Sequence, residues 1–206
     1  MTEGQKYSIS AQKLIKLWSK LAFEKILSNF VTQIFRYLGM GNIYNWYAVY
    51  TKPRSEKKLS IRLQEKGIEV YLPLRKTLRQ WSDRKKMVEE PLISSYVFVN
   101  VGKSLYHEVL NTEGAVKYIW FSGKPAIIPA TQIELLKKIT GSGVEVDCLP
   151  ATLAVGTSVK VISGPLLGIT GELIAIAGKH KMLVRIDHLD KVLTLSISPA
   201  SLEEVM

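Results

Sequence analysis

Cysteine is almost absent from this chain: Cys148 is the only one in 206 residues, so no internal disulfide can form. Histidine is nearly as scarce, and His107, His180 and His188 are scattered. None of them has a nucleophile, a paired carboxylate or a second metal ligand at a meaningful spacing. Neither a glycine-rich phosphate loop nor a dinucleotide fingerprint occurs. A chain lacking all of these is expected to be no enzyme, to use no cofactor or metal, and to have no small-molecule substrate. Long apolar runs are missing as well. The longest uncharged run near the N-terminus, Ile26 to Phe35, is about half of the roughly 20 residues that a membrane span requires. Lys13, Lys16, Lys20 and Lys25 interrupt what would be the apolar region of a signal peptide. The expected location is therefore cytoplasmic.

Acidic residues are in deficit: 18 Asp and Glu face 28 Lys and Arg, a net charge of +10. Such a balance implies a polyanionic neighbour. The excess is uneven, at +4 over residues 1–42, +6 over 43–147 and zero over 148–206. Polyanion binding therefore belongs to the middle of the chain, and the neutral C-terminal part argues against a barrel that itself grips ribosomal RNA.

Residues 1–42 carry apolar side chains at helical spacing, from Leu14, Leu17, Trp18 and Leu21 to Ile34 and Leu38, and stop at Gly39 and Gly41. They fit a helix packed on a partner or on this protein, a basic membrane-surface helix, or an extension from a mis-assigned start. After the strand-like run Trp46–Tyr50, a helix is expected to begin at Pro53 and stop at Gly67. Arg54, Lys58, Arg62 and Lys66 recur every four residues along it, a slanted cationic stripe that suits phosphates, next to Lys52. Further on, Arg75 to Lys86 reads as a basic hairpin in which Arg79, Arg84, Lys85 and Lys86 surround Trp81. Cations interleaved with an aromatic suit backbone contact plus base stacking. A solvated charged face is the competing reading of both features. A strand is expected over Val116–Phe121, and Pro129 leads into a helix covering Gln132 to Lys138.

The C-terminal part holds the densest pattern. Val159 and Val161 alternate with polar residues, Gly164-Pro165 breaks the strand, and Gly168 and Gly171 precede a second strand beginning at Leu173. With Gly156, this ordered set of Gly156, Val159, Val161, Gly164, Pro165, Gly168 and Gly171 resembles the KOW motif of ribosomal proteins and NusG-type elongation factors. The middle of the chain is similar to the NusG N-terminal (NGN) domain, through Trp46-Tyr47, Glu56-Lys57-Lys58, Pro91 with Tyr96-Val97-Phe98-Val99, Asn111 to Gly114, and Gly123-Lys124-Pro125. Gln80 to Lys86 with Glu90 to Ile93 looks nearer to the specialised paralogues, RfaH and the UpxY-type antiterminators of capsular polysaccharide operons.

The resemblance implies an α+β protein: an α/β-sandwich NGN domain over 43–140, a linker over 141–153 and a small SH3-like KOW β-barrel over 154–206, behind a helical extension over 1–42. It implies a monomeric transcription antitermination factor that binds the β′ clamp helices of RNA polymerase and reduces pausing and termination in long polysaccharide operons. Tyr50, Ile93, Tyr96 and Phe98 match the family's apolar polymerase-binding patch. Lys52, Lys58 and Arg62 match positions that touch the non-template DNA strand. Glu113 stands where RfaH has an arginine, and His188-Leu189-Asp190 replaces the turn through which NusG meets Rho and ribosomal protein S10. A housekeeping NusG-type factor and a ribosome-associated RNA-binding KOW protein are the alternatives. Gly164, Gly168, Gly171, Gly178 and Pro165 would together cost a helix roughly 7 kcal/mol, so residues 155–198 are expected to form a β-barrel in the full-length chain, leaving the polymerase face accessible.

Overall fold

The computed structural model describes residues 44–81, 83–151, 156–176, 179–186 and 188–205. The expected helix over 1–42 lies outside them.

Strand β1 (Asn45–Thr51) is the middle of the first sheet, because its alternating residues have something to bury on both sides. It pairs antiparallel with β5 (Tyr96–Val101) on one edge, and with β6 (Ala115–Tyr118) and β9 (Ile127–Ile128) on the other. Strand β2 (Glu69–Tyr71) completes the sheet beyond β5. Register puts Val49 opposite Val97 and Tyr47 opposite Val99 on one face, and Ala48 opposite Phe98 and Tyr50 opposite Tyr96 on the other.

Helix α1 (Glu56–Glu65) covers the first face with the fully buried Leu59 and Leu63, joined by Val109 of the short helix α2 (Tyr106–Leu110). Its first turn is fixed by Glu56, a buried carboxylate that accepts a hydrogen bond of 2.8 Å from the Ser95 backbone N–H. A negative charge suits that end of the helix dipole. Helix α3 (Ala130–Gly141) supplies Ile133, Leu136 and Ile139 to the core cluster on the second face. Its start directly after Pro129 follows the sequence expectation.

A two-stranded ribbon of β3 (Leu74–Gln80) and β4 (Lys85–Pro91) projects as a separate sheet. A tight hairpin follows β6, made of β7 (Trp120–Phe121) and β8 (Lys124–Pro125). The strand expected over Val116–Phe121 is thus divided at Ile119, whose N–H bonds the Ala48 carbonyl instead.

Residues from Val146 onward build a six-stranded antiparallel sheet, in the order β10-β14-β13-β12-β11-β15. Its strands are β10 (Val146–Pro150), β11 (Thr157–Val161), β12 (Thr170–Ile176), β13 (Lys179–Ile186), β14 (Lys191–Leu195) and β15 (Leu202–Glu204). Val159 and Val161 are buried as their alternation requires. Gly171 has no room for a side chain: a Cβ there would lie 2.4 Å from the Leu183 carbonyl oxygen. Gly168 sits at φ +87° with open space around it, so it serves the turn after Pro165 and not close packing. The β character expected of this segment in the full-length chain is present over its described residues.

Two sequence expectations are corrected. Part of the linker expected over 141–153 is strand: β10 pairs with β14 over five residues, from Val146 opposite Leu195 to Pro150 opposite Lys191. Arg54 is also off the helix; it precedes α1 in a left-handed conformation, φ +60°, and so leaves the cationic stripe.

Candidate functional site

Tyr50, Tyr96 and Phe98 share one sheet face and Ile93 lies in the loop before β5, and the four are not at one depth. Tyr50 and Tyr96 are cross-strand partners whose rings meet edge to face, 5.5 Å between centroids at 74°. Both are half-buried. Ile93 and Phe98 are 0% exposed. They belong to a core cluster that also holds Ile133, Leu136 and Ile139 of α3 and Val184, Ile186 and Leu193 of the C-terminal sheet. The accessible face expected from sequence is therefore closed except along its tyrosine edge. Burial raises the Tyr96 hydroxyl pKa above its ordinary value, with smaller contributions from Tyr50, Asp190 and Cys148. Asp190 and Cys148 are C-terminal-sheet neighbours, so Tyr96 stands where the two halves meet.

Polar clamps hold the halves together around this cluster. Arg75 of β3 pairs with Asp147 of β10, which also faces Lys181 Nζ at 3.6 Å. Lys138 Nζ donates to the Leu167 carbonyl at 2.8 Å, and the Phe121 ring lies 4.7 Å from that of His188. Here both His188 and Asp190 adopt positive φ, at 64° and 45°. Such backbone is strained for non-glycine residues.

The proposed nucleic-acid residues separate into two groups. Arg62 donates to the Glu113 carbonyl at 2.9 Å and pairs with the Glu113 carboxylate at 2.7 Å. Lys66 pairs with Glu108 and donates to Thr112 Oγ1 at 3.0 Å. These two cations are spent on fastening α1 to the α2–β6 loop. The residue that departs from RfaH, Glu113, is the one that holds Arg62. Arg79 is likewise paired with Glu90 at 2.5 Å, an interaction that holds the Glu90 carboxyl below its ordinary pKa. Arg84 lies 3.9 Å from Asp83, the limit of an ion pair. By contrast, Lys52, Arg54, Lys58, Lys85 and Lys86 are exposed and make no ion pair among the described residues. Trp81 stands exposed beside the hairpin turn, 54% accessible. The geometry thus offers two cationic patches, Lys52–Arg54–Lys58 before and on α1, and Trp81–Arg84–Lys85–Lys86 at the ribbon tip.

Sequence reading missed Leu78 and Met87, an exposed apolar pair directly opposite one another on the ribbon. Their signal was present: two apolar residues in an otherwise basic hairpin. Among the described residues no group of His, Cys, Asp or Glu is arranged to hold a metal, and no helix is long and apolar enough to cross a membrane.

The fold these elements make is a mixed helix-and-strand one of known kind. The solved structure described as "Domain interaction in Thermotoga maritima NusG" superposes with a TM-score of 0.52 at 20% identity, over 80% of this chain and 98% of that one. Two conformations of the MjSpt4:Spt5 complex, B and A, match at 16% and 18% identity over 78% of this chain and 96% and 97% of theirs. Their TM-scores of 0.28 and 0.25 are too low to carry an argument. Residues 44–137 match the family described as transcription termination factor nusG.

Proposed function

We propose that this protein is a specialised antitermination factor that binds elongating RNA polymerase and suppresses pausing and termination, in long operons of the capsular polysaccharide type. The observation that carries the reading is the Tyr50–Tyr96 pair, two amphipathic aromatics at the open margin of an otherwise buried face in a NusG-family domain. Aromatics with one polar end, seated against a packed base, make strong interface anchors. In this reading Tyr50 and Tyr96 touch the β′ clamp helices, while Ile93 and Phe98 hold them from beneath. The C-terminal segment from 154 onward acts as a KOW barrel.

Non-template DNA would run along the unpaired cations. Lys52 and Lys58 supply phosphate contacts at α1, and Arg84, Lys85 and Lys86 do so at the ribbon tip, where Trp81 can stack on a base. Bridging polymerase and DNA favours the closed, processive enzyme by differential binding, with no chemical step. Rho and ribosomal protein S10 remain candidate partners of the C-terminal part. Mapping the protein's occupancy across a genome tests the specialised role. Occupancy confined to a few long operons, beginning at a shared leader, is expected; uniform occupancy of all transcribed genes would make it a housekeeping factor instead.

A further inference from the structure

A groove of about 1090 Å³, whose walls are joined by the Arg75–Asp147 ion pair, lies apart from the tyrosine edge and from α1. It runs between the ribbon and the start of the C-terminal sheet. Five consecutive residues of β3, Leu74 to Leu78, line one wall, and five consecutive residues from Gly143 to Asp147 line the other. Tyr71 and the end of α3 form its floor.

Both walls are strand edges with unused backbone groups. Strand β3 pairs only with β4, and β10 only with β14. The hydrogen bonds Trp81 N–H to Arg84 and Leu92 N–H to Pro73 fix the ribbon's register, so odd-numbered residues of β3 bond β4. Leu74, Lys76 and Leu78 therefore point their N–H and C=O groups away from the ribbon. On β10 the parity is set in the same way: Ser196 donates to Glu145 and Ala151 to Asp190, which turns the backbone of Val146 and Cys148 outward. Pro150 ends that edge with no N–H to offer. Beside these edges, Leu78 and Met87 expose 57% and 55% of their surface.

We propose that this groove docks an extended segment of a partner protein, which adds as a strand to the free edge of β3. Outward N–H and C=O groups at alternate positions recognise a peptide backbone, and alternate side chains of the segment then meet the Leu78–Met87 pair. Charge selects among occupants. Arg84, Lys85 and Lys86 stand at the ribbon tip, so the segment is apolar at alternate positions and acidic at the end that lies there. A second copy of this chain adding through β3 would set one strand bearing Arg75, Lys76 and Arg79 beside another like it, the arrangement by which basic edge strands avoid self-pairing. Three cations (Arg75, Lys76, Lys137) balance three carboxylates (Glu89, Glu145, Asp147) along the groove, so it lacks the positive excess that nucleic acid needs. The groove is independent of the polymerase contact, since no residue of the tyrosine edge takes part, and it shares only the tip cations Arg84, Lys85 and Lys86 with the DNA reading.

The test uses the full chain and a synthetic peptide of about eight residues, matched to the length of β3, with alternating valine and threonine followed by two glutamates. Amide exchange at Leu74, Lys76 and Leu78 is expected to slow by about tenfold or more on saturation. Exchange at Arg75 and Thr77, already bonded to β4, is expected to stay as it was. Lys76→Pro removes an outward N–H that the ribbon does not use and is expected to weaken binding at least about tenfold, whereas Lys76→Ala keeps it and weakens binding at most about threefold. If Lys76→Pro unfolds the ribbon, the exchange pattern of the unmodified chain decides. No binding at about 1 mM peptide, or unchanged exchange at the three outward amides, overturns the proposal. So does equal protection of those amides by single-stranded oligothymidylate, which would assign the groove to nucleic acid.

Discussion

Gly171→Ala puts the C-terminal sheet to a quantitative test. The new Cβ would stand 2.4 Å from the Leu183 carbonyl oxygen and 2.7 Å from Met182 Cε. The methionine end can swing aside, but the carbonyl belongs to β13, the hydrogen-bonded neighbour of β12. Relief therefore requires the two strands to part locally. Overpacking of this kind costs about 1–3 kcal/mol, and a strained or lost ladder hydrogen bond adds about 1. Against this, alanine in a strand recovers about 0.5–1 kcal/mol of backbone entropy relative to glycine. The net expectation is a loss of about 2–3 kcal/mol, a large part of a typical domain's stability of about 5–15. Gly67→Ala is the control. Gly67 has φ +75° and nothing within 4 Å of where a methyl would stand, so only the left-handed conformation opposes the change, at about 1–2 kcal/mol. Urea denaturation followed by circular dichroism measures both. A Gly171→Ala loss below about 0.5 kcal/mol, or one smaller than that of Gly67→Ala, would refute the close-approach argument.

Lys58→Glu is expected to weaken single-stranded DNA binding and flatten its salt dependence, while Arg62→Ala does less because Glu113 already neutralises Arg62; titrations at two salt concentrations compare them, and equal effects would count against the division. Phe98→Ala should cost about 3–5 kcal/mol of stability because Phe98 is fully buried, so thermal melting will separate it from Tyr96→Ala, a half-buried site with a smaller loss. Arg185, hydrogen-bonded to Glu172 at 2.8 Å, lowers the Glu172 pKa below its ordinary value, so its contribution is present above that value and is lost as pH falls through the lower folded one. Melting temperatures of the parent and Glu172→Gln should therefore converge on acidification below about pH 4, and a gap that widens there would contradict the assignment.

Local pattern made much of this fold legible. The glycines around Pro165 announced turns, and the strand-like run Trp46–Tyr50 announced the strand at the middle of the first sheet. What sequence did not reveal depends on partners far along the chain. Val146–Pro150 carries a cysteine, an aspartate and a proline, and becomes a strand only because β14 lies beside it. The cationic stripe looked uniform because Arg62 meets Glu113 and Lys66 meets Glu108 from 51 and 42 residues away. Burial of Ile93 and Phe98 likewise depends on tertiary packing: an alternating strand tells which residues share a face, and cannot tell what covers it. The left-handed turn at Arg54 displaced one cation from a helix that was otherwise placed within two or three residues.

The proposed role in transcription stands or falls on the tyrosine edge of the first sheet binding the β′ clamp helices of RNA polymerase. Isothermal titration of the full chain with a purified clamp-helix fragment measures that contact, comparing the unmodified protein with the Tyr50→Ala, Tyr96→Ala double variant. Hot-spot anchors typically cost about 2 kcal/mol or more when truncated, so affinity is expected to fall at least about thirtyfold while circular dichroism stays unchanged. Equal affinity of a folded double variant, or no binding by the unmodified chain, would show that the tyrosine edge is not the polymerase contact.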